Sequence, residues 1–92
     1  MKIVLTEPAL ADLESIWEYT STHYPANLPK IERRFRIILE RISELPAGFP
    51  RAAKFPAVRV ALLRPFPFKV LYRLRRKDII EILRVVHASM DI

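Results

Sequence analysis

The hydrophobic pattern of this 92-residue chain changes its period near residue 55, and this change constrains the fold more than any other feature. Before it, apolar residues recur every three or four positions, as on amphipathic helices. After it, the segments VRVALL, FPFKVLYRL and IIEILRVVH are rich in aliphatic and aromatic residues and follow a period of two. A helical half followed by a strand-rich half predicts an α+β protein.

The helical half divides into one short strand and two helices. The opening segment KIVL is a strand candidate. Thr6 offers a hydroxyl cap, Pro8 suits a first helical turn, and Pro25 ends the helix that follows. Asn27 is placed to cap a second helix, which Pro46 stops. The apolar stripe of that helix comprises Ile31, Phe35, Ile38, Ile42 and Leu45. Because so few residues join the two helices, we expect an antiparallel helical hairpin.

The strand-rich half predicts a three-stranded antiparallel meander. The charged segment RRKD separates the last two strands and has the length of a hairpin turn. The order of elements is therefore β-α-α-β-β-β. Since each amphipathic element needs a surface to bury against, the helical hairpin is expected to pack on one face of an antiparallel β-sheet. A chain this short supports a single core, so residues 1–92 are expected to form one domain.

Strict alternation predicts which strand residues face away from the helices. In FPFKVLYRL the aromatic and aliphatic set should meet the helices, which leaves Lys69, Leu71 and Arg73 on the open side. The residues expected to form a partner-binding groove on that side are Arg59, Lys69, Leu71, Arg73, Leu83, Val85 and His87. His87 would add an imidazole to this groove. The alternative is a plain exposed face whose charges only keep the chain in solution.

Arg84 falls on the opposite face of the last strand from His87 if that strand is regular. There it would lie among apolar side chains and be partly buried, and a buried guanidinium needs a carboxylate partner. The first helix carries Asp12 and Glu18. We therefore predict a structural ion pair between Arg84 and this helix, with Asp12 as the assigned partner.

Charge and composition narrow the function classes. The net charge is +6, with acidic residues dominating up to Tyr24 and basic residues dominating from Arg51 onward. A basic half attracts polyanions or acidic protein segments. With no cysteine and only His23 and His87 as histidines, the sequence indicates neither a metal site nor a cofactor. No apolar run approaches the roughly 20 residues of a membrane span, so we expect a cytoplasmic protein with no membrane partner.

The segments EPALADLESIWEYT, RPFPFKVLYRL and IIEILRVVHASMD together resemble the RelE/ParE superfamily of toxins from bacterial type II toxin–antitoxin systems. They are similar to the first helix, the central strand and the last strand with its polar tail. The resemblance covers essentially the whole chain. Ribonuclease relatives often carry a tyrosine directly after the last strand, whereas this chain continues with Ala88 and Ser89. The tail therefore resembles the ParE branch more closely.

The resemblance implies a toxin that is neutralised by a ParD-like antitoxin, whose acidic C-terminal segment folds on binding. ParE toxins poison DNA gyrase by binding it, so on this interpretation the chain is not an enzyme and no catalytic residue is assigned. The alternative is a RelE-like endoribonuclease that cleaves messenger RNA on the ribosome, for which the candidates are Lys54, Arg59, Lys69 and His87. A third alternative is a non-toxic basic module that binds nucleic acid.

Overall fold

The computed structural model describes residues 1–91, so Ile92, the last residue of the expected domain, lies outside the described residues. The α+β class and the β-α-α-β-β-β order are confirmed. The elements are β1 (Lys2–Leu5), α1 (Glu7–His23), α2 (Leu28–Glu44), β2 (Arg59–Leu62), β3 (Phe68–Arg76) and β4 (Ile79–His87). Short 3₁₀ turns, Pro25–Asn27 and Pro46–Gly48, follow the two α-helices.

Local sequence explains where the helices begin. The Thr6 hydroxyl accepts a hydrogen bond from the Ala9 N–H at 3.2 Å, and Pro8 lies in the first turn of α1. Asn27 occupies the N-cap position of α2, but the prediction that its side chain caps the helix is wrong. Asn27 has helical dihedral angles and ends a 3₁₀ turn that runs into α2, so its side chain makes no capping bond. Helix α2 therefore begins at Leu28 with Pro29 in its first turn.

The four strands form one sheet in the order β1-β4-β3-β2. The meander β2-β3-β4 is antiparallel, as the hairpin signals predict. Strand β1 pairs with β4 in parallel, which makes the sheet mixed rather than wholly antiparallel. The two helices lie between β1 and the meander in the chain, and they supply the long crossover that a parallel pairing needs.

A β-bulge interrupts β4 and changes the faces of its last residues. Leu71 pairs with Arg84 and the next residue, Tyr72, pairs with Ile82, so Leu83 has no partner on β3. Beyond this extra residue the alternation shifts by one position. Val85 therefore joins the helix-facing side, where it is 2% exposed within the core. The prediction that Val85 lies on the open side is wrong for this reason.

The helical hairpin covers one face of the sheet and forms the core with it. Four residues of the α2 stripe are buried as predicted, whereas Leu45 lies past the end of the helix and is exposed. Trp17 packs edge-on against Phe35, with ring centroids 6.4 Å apart. Main members of the core are Leu13, Ile31, Phe35, Ile38, Ile42, Val70, Tyr72, Ile80, Ile82 and Val85. Within residues 1–91, no helix lies over the opposite sheet face.

Candidate partner-binding face

The open face is the side of the sheet that points away from α1 and α2. Ala61, Val70 and Val85 are paired across the strands and belong to the core, so the residues that alternate with them point to the other side. By this register the open face comprises Val60, Leu62, Lys69, Leu71, Arg73, Glu81, Arg84 and Val86. It carries cations around an aliphatic centre.

Lys69 ties the C-terminal tail to the open face. Its ammonium group donates hydrogen bonds to the carbonyl oxygens of Ala88 at 3.2 Å and Met90 at 2.6 Å. Further along the tail, Asp91 lies 3.8 Å from the Lys54 ammonium group, but both side chains are largely exposed, so this contact contributes little. Lys69 is therefore a structural anchor of the tail in this conformation.

Leu71, at the centre of the open face, is only 4% exposed although no helix covers it. Leu62 beside it remains 40% exposed. Two cations, Arg73 and Arg84, flank this aliphatic centre, and each is paired with a carboxylate of the chain. Arg73 donates from Nε to Glu81 Oε1 at 2.8 Å, and Arg75 lies 3.5 Å from the other carboxylate oxygen. About half of the Arg73 side chain, 48%, stays exposed and can meet a partner.

Asp12 and Arg84 form a bidentate ion pair. Arg84 donates from Nε to Asp12 Oδ2 at 2.7 Å and from Nη2 to Oδ1 at 2.9 Å. Asp12 Oδ2 also accepts the backbone N–H of Val85 at 2.9 Å. The sequence places Arg84 among apolar core residues, and that placement is wrong, because the bulge turns it to the open face with 47% of its side chain exposed.

The electrostatics of this pair follow from its contacts. Burial by itself would raise the pKa of Asp12, but the hydrogen bonds from Arg84 and Val85 and the guanidinium charge hold that pKa below its ordinary value. The same hydrogen bond and the carboxylate charge raise the pKa of Arg84. Asp12 therefore remains ionised and satisfies an edge N–H of β4 that no neighbouring strand reaches.

Arg59 does not belong to the open face, which corrects the sequence-based assignment. It pairs with Tyr72 in the register and therefore points to the helix-covered side. Its guanidinium donates to the carbonyl oxygens of Phe49 at 2.7 Å and Ala47 at 3.3 Å. Arg59 thus holds the segment after α2 against the sheet.

His87 also lies away from the open face. It pairs with Phe68, whose side chain packs against the core, and the two rings meet edge-on with centroids 6.2 Å apart. His87 Nδ1 lies 2.6 Å from Ser89 Oγ and accepts the Ser89 backbone N–H at 3.1 Å. The imidazole is exposed but shapes the turn that begins the tail.

The four residues considered for ribonuclease chemistry do not share one face of the sheet. Lys69 lies on the open face, Arg59 and His87 point to the other side, and Lys54 is in the loop before β2.

The remaining predicted contact, Leu83, is the half-buried residue of the bulge. Within residues 1–91, no group of three or more potential metal ligands lies close enough to hold an ion.

A cavity of about 390 Å³ that the sequence did not predict opens beside Arg59 and Tyr72. Arg51 lines it as well, and an isolated β-bridge sets Arg51 directly opposite Arg59. Burial raises the pKa of Tyr72 to about 12 despite the opposing influence of Arg59, and its hydroxyl donates to the Pro46 carbonyl. Arg51 is not among the predicted site residues, because it lies in an irregular loop whose sequence has no hydrophobic period.

This geometry defines a small α+β protein with a helical hairpin on one side of its sheet and a cation-flanked open face on the other. Two solved structures are similar to it. One solved structure, a chain of the chromosomal ParDE toxin–antitoxin system from P. aeruginosa, is 26% identical, with a TM-score of 0.69 and 97% of each chain covered. The YoeB/ParE toxin from Agrobacterium tumefaciens shares the fold at 14% identity, with a TM-score of 0.64, covering 95% of this chain and 98% of the other.

The model of the family described as ParE toxin of type II toxin–antitoxin system, parDE, matches residues 3–92. The chain therefore belongs to the ParE toxin family, within the RelE/ParE superfamily. A search among curated proteins found no match. None of the helices in residues 1–91 is long and apolar enough to cross a membrane.

Proposed function

We propose that this protein arrests growth by binding DNA gyrase, and that a ParD-like antitoxin neutralises it through an acidic C-terminal segment. Membership of the ParE family supports the toxin role. The similarity to a chain of a ParDE system supports a partner of the ParD type. Both events would take place in the cytoplasm.

The observation that carries the binding mode is the half-exposed pair of guanidinium groups on the open face. Arg84 uses two of its five donors for Asp12, and Arg73 uses one for Glu81, so each has donors left for a second carboxylate. Leu62 lies in the same face, is 40% exposed and offers apolar surface to the same segment. We propose Lys69, Arg73, Leu83 and Arg84 as antitoxin contacts, with Arg59 as a contact only through the neighbouring cavity. The predicted contact Leu71 is 4% exposed, so in this conformation it has almost no surface to offer a partner.

A binding mechanism is also favoured over hydrolysis by the position of the candidate ribonuclease groups. A general base, a general acid and cations must converge on one phosphate to cleave RNA. Lys69 is engaged with the tail, and Arg59 with backbone carbonyls on the other side of the sheet. Because Arg59 and Lys69 lie on opposite faces of the sheet, the two cations do not point at one phosphate, which supports the gyrase proposal over messenger RNA cleavage.

The test is induced expression of the chain with and without the gene encoded beside it, followed by two separate assays. We expect growth arrest that the neighbouring gene relieves. The purified protein should inhibit supercoiling by gyrase and leave ribosome-bound messenger RNA intact. Cleavage of the messenger with normal supercoiling would assign the RelE-like activity instead. Absence of arrest together with salt-sensitive nucleic-acid binding would assign a non-toxic module.

A further inference from the structure

We infer that a second docking surface, separate from the open face, binds a polypeptide segment that carries both aliphatic and acidic side chains. It lies on the helix-covered side of the molecule, where two cavities adjoin at Phe66. We call it the Phe66 surface. It consists of the C-terminal turn of α1, the N-terminal half of α2 and the segment 65–68.

The first cavity is apolar and measures about 200 Å³. Tyr19 and Tyr24 form its rim, and they remain 56% and 59% exposed. Ile31 and Phe66 form part of its floor. Exposed tyrosines around a buried aliphatic floor are typical of the energetically dominant centres of protein–protein interfaces. Its size and lining suit an aliphatic side chain.

The second cavity is cationic and measures about 310 Å³. Lys30, Arg33 and Arg34 line it over a floor that includes Ile37, and no carboxylate contributes to the lining. None of the three cations forms a salt bridge within the described part of the chain. Three unpaired positive charges on one turn of α2 repel one another and are stabilised by an incoming anion.

Arg34 provides a second, independent sign of a missing partner. Its Nε is buried and is the single buried side-chain polar atom between residues 1 and 91 that has no hydrogen-bond partner. A buried donor without an acceptor is destabilising, and such groups are rare in native structures. Because Arg34 also lines the cationic cavity, a carboxylate there would lie beside a guanidinium whose Nε has no acceptor among the described residues.

The arrangement favours a polypeptide over a nucleic acid. A single strand of nucleic acid needs cations that follow its backbone alongside aromatic rings that stack on its bases. Here the tyrosines rim one cavity and the cations rim the other, and one face of the Tyr19 ring is already stacked on His23 at 4.2 Å. An aliphatic side chain beside glutamates matches both cavities at once.

The inference is tested with a labelled peptide, Glu-Leu-Glu-Glu-Leu, titrated onto the full chain by fluorescence anisotropy. Arg33→Gln and Arg34→Gln should each weaken binding about tenfold, the effect of losing one charge-assisted hydrogen bond. Arg33 is exposed, so its variant keeps the fold. Arg76→Gln is the matched control, because Arg76 is an exposed cation outside both cavities.

Backbone amide shifts in a nitrogen-15 NMR spectrum should move at Tyr24, Ile37 and Phe66. The peptide with Gln in place of Glu, or Ser in place of Leu, should bind more weakly than the parent. Equal weakening by Arg76→Gln, or shifts confined to the open face, would overturn the inference. So would a single-stranded oligonucleotide that competes with the peptide and shows the same dependence on Arg33. The assay involves no growth or gyrase readout, so its outcome is independent of the proposed function.

Discussion

At the scale of single residues, Asp12 joins helix α1 to strand β4 through both a side chain and the backbone. It lies on α1, pairs with Arg84 on the open face and accepts the backbone N–H of Val85 at the edge of β4. Strand β1 ends at Leu5, so it covers β4 only as far as Ile82. Where β1 stops, the Asp12 carboxylate therefore accepts the backbone N–H at the edge of β4, and this contact protects an otherwise open strand edge.

This role predicts a specific dependence of stability on pH. The folded-state pKa of Asp12 lies below its ordinary value of 3.8, so its stabilising contribution is complete above that value and is lost as pH falls through the folded pKa. Asp12→Asn should lower the free energy of unfolding at pH 7 by about 1–2 kcal/mol. Urea titrations at pH 7 and pH 3 should show a smaller loss on acidification in the variant than in the wild type.

Glu14→Gln is the control for this experiment, since Glu14 is exposed on the same helix and forms no salt bridge within residues 1–91. It should follow the wild-type pH dependence. If Asp12→Asn and the wild type lose equal stability between the two pH values, the ion pair does not stabilise the fold.

Tyr72 makes a comparable link on the other side of the sheet. Its buried hydroxyl donates to the Pro46 carbonyl, and Phe49 packs edge-on against its ring with centroids 6.0 Å apart. Tyr72→Phe should destabilise the fold by about 1 kcal/mol, because it leaves that carbonyl without its donor. Thermal unfolding measures the effect. Tyr19→Phe, which alters an exposed ring, should stay close to wild type, and equal losses in the two variants would contradict the assigned role.

At the scale of elements, the bulge in β4 decides what the open face presents. Without it, Val85 and His87 would lie beside Lys69, and Arg84 would be buried. With Leu83 as an extra residue, Arg84 reaches the open face and Val85 enters the core. One inserted position thus exchanges an apolar residue for a cation on the surface proposed for the antitoxin.

Two aspartate substitutions on neighbouring positions test this assignment. Val85→Asp should unfold the protein or cost it more than about 3 kcal/mol, because it buries an unpaired carboxylate in the core. Leu83→Asp should retain the fold, since Leu83 is only half-buried, and should weaken antitoxin binding at the open face. Circular dichroism and calorimetric titration with the antitoxin separate the two effects. A folded Val85→Asp variant with impaired antitoxin binding would contradict this assignment and would place Val85 on the open face, as strict alternation predicts.

Much of the fold could be predicted from the sequence because it rests on local signals. The Thr6 cap, the α2 stripe and the change to a period of two each report a single element. The parallel pairing of β1 with β4 and the bulge at Leu83 depend instead on how distant elements meet. No turn residue marks the bulge, since Leu83 continues an apolar run without glycine. The pair of Asp12 and Arg84 could be anticipated from charge, but not the face on which it lies.

At the scale of the whole molecule, charge is divided between the two halves of the chain. Arg73, Arg75, Arg76 and Lys77 cluster on the β3–β4 hairpin, where Glu81 and Asp78 are the neighbouring acidic residues. Helix α1, which carries most of the acidic residues of the first half, packs on the other face of the sheet, and its Asp12 pairs with Arg84 at the edge of the open face. A positive field over the hairpin and the open face would guide an acidic segment toward them before any contact forms.

Guidance of this kind predicts how antitoxin association responds to salt. The Debye length shrinks from about 30 Å at 0.01 M to about 8 Å at 0.15 M ionic strength, so long-range attraction should be largely screened at the higher value. The association rate constant, measured by stopped-flow fluorescence of Trp17, should fall about tenfold or more over this range. The dissociation rate should change much less, because packing and direct hydrogen bonds hold the complex once formed.

Charge reversal at single positions locates the source of this guidance. Arg76→Glu removes an exposed cation of the hairpin that makes no salt bridge within residues 1–91, so it should slow association and leave dissociation nearly unchanged. Glu14→Lys makes an opposite charge change on α1, away from the open face, and should have little effect on either rate. If Glu14→Lys speeds association by the same factor by which Arg76→Glu slows it, the antitoxin responds to the net charge of +6 rather than to the basic hairpin and open face.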